Sequence, residues 1–206
     1  TGLFGGILTY YLTPEQFISA DVGRDVYATL AENEAALAAE LGLPEERVYV
    51  PVSTAERPVR LFIPQQRRYT LPPESTLEAQ TILAADSTSN GVALDPSGNR
   101  LLTSLEATLR GSLADSPAEL AAQLSDALVE QFELVDGAQP DIDPDGERCS
   151  VAVRGSVYGP IGQFDHPVVS LLAAGFASGL AVPVTVSVSQ ETDATADETV
   201  TLRWEE

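Results

Sequence analysis

Residues 167–189 read PVVSLLAAGFASGLAVPVTVSVS, and no charge occurs anywhere from Pro167 to Gln190. A membrane span would need about 20 apolar helical residues, but Pro183 and the alternating VTVSVS stop this helix after about fourteen. The stretch therefore predicts a buried helix over 168–180 followed by a strand over 182–189. A strand at 149–155 precedes it and another at 199–204 follows, so the tail runs strand, helix, strand, strand. Upstream, RVYVPVS (47–53) and VRLFI (59–63) are β-branched and aromatic runs around a short turn, which predicts a hairpin. The spacing of Val26, Leu30, Leu37 and Leu41, with Ala partners, predicts a helix over 22–41 that Gly42 stops. Residues 65–83 contain several Pro and read as irregular. Asp95-Pro96-Ser97-Gly98 has the residues of a type I turn, flanked by short strands at 92–94 and 100–102. Helices are expected at 104–113 and 116–133, the second opened by Ser116, Pro117 and Glu119. The pattern is that of an α+β fold: a mostly antiparallel sheet with helices packed on one face.

The 206 residues suffice to bury a core, and 44% of them are apolar, so the formal charge of −20 does not mark a disordered acidic chain. The 31 carboxylates face 11 basic residues, every one of which is Arg; Lys is absent. Self-repulsion of this size strains a protein at modest salt, whereas in molar salt the Debye length falls to about 3 Å. The composition thus predicts a halophilic protein. It also argues against duplex nucleic acid as a partner, since no positive field attracts phosphates. The single Cys149 excludes an intrachain disulfide.

Thr1 to Thr13, TGLFGGILTYYLT, is uncharged and ends beyond a Tyr pair, as the distal end of a transmembrane helix would at the interface. A buried N-terminal element is the alternative. On the first reading, residues 1–13 close a membrane helix and residues 14–206 form one halophilic α+β domain.

LTYYLTPEQFISADVGRDVYATLAENEAALAAELGL, together with FDHPVVSLLAAGFASGL, resembles an uncharacterised family of haloarchaeal membrane-anchored proteins. The resemblance spans the chain. It implies attachment to a membrane and transfers no activity and no functional residues; our own expectation is anchoring through the N-terminus with the domain on the cytoplasmic side.

Three constellations are candidates for chemistry. His166 is the only His; a hydrolase would use it as general base with Asp165, Ser170 or Cys149 as partner. No nucleophile-elbow motif accompanies it, and Asp165 or His166 equally caps a helix starting at Pro167. Asp141, Asp143 and Asp145, followed by Gly146, match the first half of a calcium loop, but position 12 is Ala152, where a bidentate Glu belongs. Arg57, Arg60, Arg67 and Arg68 form a basic island without a carboxylate between Glu56 and Glu74, interleaved with Phe62 and Tyr69. That island is a candidate docking surface, or else a set of Arg paired within the domain. No cofactor motif occurs. Gly175 and Gly179 leave a smooth helix face for the sheet or for a second copy. These observations lead to a non-enzymatic binding or assembly module of an anchored protein, with a protein partner or a homo-oligomer. A hydrolase built on His166 and Asp165, or a cation-dependent structural module, are the alternatives.

Overall fold

The computed structural model describes residues 19–54, 57–84, 88–109, 111–144, 146–190 and 196–205. Residues 1–13, expected to end a membrane helix, lie outside them. Among the described residues no helix is long and apolar enough to cross a membrane.

The strands are β1 (Arg47–Thr54), β2 (Arg57–Pro64), β3 (Ile82–Leu83), β4 (Gly91–Leu94), β5 (Gly137–Ile142), β6 (Arg148–Arg154), β7 (Val184–Gln190) and β8 (Glu198–Trp204). They form one sheet in the order β3-β4-β2-β1-β7-β8-β6-β5, each antiparallel to its neighbours. The two hairpins β1–β2 and β7–β8 are joined edge to edge, Val48 pairing Thr185 and Tyr49 pairing Val184. The helices are α1 (Ala20–Glu40), α2 (Glu74–Ala79), α3 (Gly98–Thr108), α4 (Pro117–Asp126) and α5 (Pro167–Leu180). A π-helical turn, Ala127–Gln131, extends α4.

Alternation along the strands decides what each face meets. Tyr49, Leu61, Val151, Val200 and Leu202 point into one core with α3, α4 and α5. Val48, Val50, Phe62 and Ala93 point the other way, into a smaller core with Leu77 of α2 and Leu83. The helices therefore do not all lie on one face. β2 explains this: Val59 to Pro64 are all buried, so the strand is apolar on both sides and residues 65–83 fold over its second side. At β7 and β8 the same face carries Ser and Thr and meets solvent.

Several boundaries differ from the sequence pattern. Residues 100–102 belong to α3, which starts at Gly98 straight out of the expected turn. The stretch 65–83 contains α2 and β3, and β5 was unforeseen because its GAQPDI lacks an apolar alternation. At the end of α1, Leu43 N–H donates to Ala38 O and Gly42 N–H to Ala39 O, with Gly42 at φ 67°. This is the double closure a left-handed Gly permits. On α5 the small residues meet α4 rather than the sheet: a Cβ on Gly175 would lie 2.5 Å from Leu124, and one on Gly179 would lie 2.7 Å from Leu120.

Candidate functional site

The entry to α5 gathers the residues that sequence placed nearest to chemistry. Pro167 at the first helical position leaves His166 as N-cap, and its Nδ1 accepts the N–H of Val168 at 3.2 Å. An accepting Nδ1 carries no proton, so the neutral ring holds its proton on Nε2, 3.4 Å from Ser156 Oγ. The ring is fully buried, edge-on to Tyr27 and Tyr158, and burial pulls its pKa down to about 4. Both nitrogens are thus engaged. In this arrangement His166 has no free lone pair with which to take a proton from a nucleophile.

Asp165 does not orient that ring. Its backbone is left-handed, with φ 45°, which turns the carboxylate away from the helix start and into the body. Oδ1 accepts the Tyr49 hydroxyl at 3.1 Å, and Oδ2 accepts the Ser97 N–H at 2.6 Å. Ser97 Oγ donates to the Asp165 carbonyl at 2.8 Å. Burial raises the Asp165 pKa, while hydrogen bonds from Ser97, Ser170 and Tyr49 pull the other way. Burial, and then Asp165 itself, raises the pKa of Tyr49 well above its ordinary value. Ser170 Oγ is occupied too, accepting the N–H of Gly98 at 2.8 Å. Cys149 sits buried on β6 with its thiol pushed up to about 12, first by burial and then by Asp141, so it is a packing residue rather than a thiolate. What the corner does structurally is lock α3, α5 and β1 together through Asp165.

This corner walls a cavity of about 300 Å³. Glu45, Arg47, Tyr49, Gln163, Asp165, His166 and Ser187 supply its polar lining, and Ile161, Val169, Val186 and Val188 its apolar lining. The Arg47 guanidinium lies 4.7 Å from the centre of the Phe164 ring. Gln163 Oε1 is buried without a hydrogen bond.

The acidic loop is less open than a calcium site. Asp141 lies on β5 and is exposed; Asp143 follows the strand and its carboxylate is bound by Arg148. Asp145 is outside the described residues. Among the described residues no group of three or more His, Cys, Asp or Glu is placed to hold a metal ion.

The basic island does not form one surface. Arg60 is 3% exposed and donates to Leu77 O at 3.0 Å and to Ala93 O at 2.8 Å, stitching α2 and β4 onto β2. Arg57 lies 3.9 Å from Asp95. Arg67 and Arg68 are exposed. Tyr69 packs edge-on against Phe62, and burial, followed by Glu46, pushes its pKa up to about 12. Tyr69 and Asp143, read from unrelated motifs, line one cleft of about 730 Å³.

Sequence reasoning missed the surface of α1. Gly23, Tyr27, Ala31 and Ala38 turn to the body, with the Tyr27 hydroxyl donating to Phe164 O at 3.0 Å. Val22, Val26, Leu30, Leu37 and Leu41 stand 45–65% exposed. The exposed Val and Leu side chains of α1 sit one position before body-facing ones and so face about 100° away from them.

Fold and corner together define an antiparallel α+β sheet protein in which Asp165 and Ser170 are hydrogen-bonded elsewhere than to the His166 ring. The chain belongs to the family described as Domain of unknown function (DUF7982), whose model matches residues 1–204. No curated protein and no solved structure matches it.

Proposed function

We propose that this domain is a non-enzymatic assembly module of a membrane-anchored haloarchaeal protein, facing the cytoplasm and pairing with a second copy of itself through α1. One observation carries the reading: five large apolar side chains along α1 stand at least 45% exposed. Covering what remains open of them is worth on the order of 5 kcal/mol before the cost of association.

A second copy is the occupant that the pattern suits. Val22, Val26 and Leu30, then Asn33, then Leu37 and the C-cap residue Leu41 follow steps of 4, 4, 3, 4 and 4, which keeps them within one stripe about 100° wide. Asn33 fills the one polar slot of that stripe, the position that sets register where two like helices meet. Anchors at the N-terminus would hold two copies parallel and at the same height, which raises their effective concentration. Both partners are strongly acidic, so pairing requires salt.

The test is the mass of the anchored protein in detergent at molar potassium chloride, with and without Leu30→Ser plus Leu37→Ser. The expected result is a dimer that the exposed substitutions convert to folded monomer. Asn33→Cys should then cross-link copy to copy, because a parallel seam sets position 33 against itself. A monomeric wild-type protein, or a dimer indifferent to both substitutions, overturns the reading.

A further inference from the structure

The cavity at the entry to α5 is lined by charges of both signs, Arg47 against Asp165 and Glu45. Arg47 has no carboxylate within ion-pair distance among the described residues, and Asp165 has no cation there. The two are close enough to act on the same Tyr49 hydroxyl with opposite sign, yet they do not pair with each other. Gln163, which also lines the cavity, carries a buried amide oxygen that accepts nothing. A partly buried ion without a counter-ion, and a buried acceptor without a donor, both cost stability. One occupant would relieve all three.

Its chemistry follows from the walls. A simple cation would satisfy Asp165 and Gln163 but leave Arg47 opposed. A simple anion would meet Arg47 and be repelled by Asp165 and by Glu45 at the rim. An ammonium carries three N–H donors, enough for Asp165 and the Gln163 oxygen, while a carboxylate matches the Arg47 fork. Ile161, Val169, Val186 and Val188 add four aliphatic side chains to the lining. About 300 Å³ is the lower end of the size of small-molecule sites. We propose that this cavity binds a free α-amino acid with an aliphatic side chain, its carboxylate on Arg47, its ammonium on Asp165 and Gln163, and its side chain against the four aliphatic residues. The site is independent of α1 pairing and adds a ligand to the domain.

Calorimetric titration of the full chain with leucine tests this, beside 3-methylbutylamine, which lacks the carboxylate, and 4-methylpentanoate, which lacks the ammonium. Leucine should saturate the protein below about 10 mM and bind at least about tenfold more tightly than either truncated analogue, as sites with built polar partners discriminate. Arg47→Gln should erase the preference for leucine over the amine, and Asp165→Asn the preference over the acid. Asn tolerates the left-handed backbone, and Gln163→Met provides a variant that leaves the Asp165 hydrogen bonds intact; it should weaken leucine about tenfold. No saturation by leucine, equal binding of either analogue, or binding untouched by these substitutions in folded protein overturns the proposal.

Discussion

His166 shows at the scale of one residue how a rare side chain can be used for structure alone. A lone His beside an Asp invites a catalytic reading, yet Nδ1 caps α5, Nε2 faces Ser156, and Asp165 turns to Ser97 and Tyr49. The cap was legible in His166-Pro167; the divergence of the neighbouring Asp165 was not, because it depends on a positive φ that only the packed body enforces. The burial has a pH signature. The folded ring has a pKa of about 4 against an ordinary 6.5, so between those values the unfolded chain binds the extra proton. Stability from this group is fully present above about pH 6.5 and is lost as pH falls toward 4, on the order of 3 kcal/mol in all. Denaturant titrations at stepped pH should show that slope in the wild type. In His166→Asn, which keeps a cap acceptor but does not titrate, the slope should be nearly flat. An unchanged slope would mean that other groups carry it; Asp165, with its raised pKa, acts in the opposite direction and is not among them.

Among the elements, α3 and α5 make the closest crossing. Gly98 begins α3 where the α5 backbone passes, and a Cβ there would lie 2.4 Å from the carbonyl group of Ser170. Helix propensity alone would favour Ala over Gly by about 1 kcal/mol. The contact reverses the sign: Gly98→Ala should lower stability by about 3 kcal/mol, because backbone, unlike a flexible side chain, cannot give way. Gly111→Ala, with open space around it, should stay within about 0.5 kcal/mol, and thermal melts of the two variants side by side check the contrast. α1 teaches the complementary point. Its periodicity announced a helix correctly, but apolar spacing does not say which stripe the body covers. The stripe of Gly23 and Tyr27 is the covered one, because Gly23 lets the helix approach Tyr158 and Tyr27 bonds Phe164 O.

For the whole molecule the governing quantity is the charge of −20 without a single Lys. With 31 carboxylates against 11 Arg, most carboxylates can have no Arg of their own and are chiefly solvated rather than paired. Their mutual repulsion opposes the compact state until salt screens it. The thermal midpoint should therefore rise from low to molar potassium chloride, both in the wild type and in a monomeric α1 variant. A flat or falling midpoint would dismiss the halophile expectation.

What sequence by itself determined is local or a total: the buried helix at 167–180, the β1–β2 hairpin, the left-handed stop at Gly42 and the net charge of −20. Each rests on neighbours within a few residues, or on totals that no fold can change. Tertiary structure alone decided the second apolar layer over β2, the burial of Arg60 against Leu77 and Ala93, and the cavity that brings Arg47 of β1 to Gln163 and Asp165. Those meetings join separate elements, from 17 positions apart at Arg60 and Leu77 to more than a hundred at Arg47 and Asp165. Side-chain type says what a residue can do; only the closing of long loops says what it will meet.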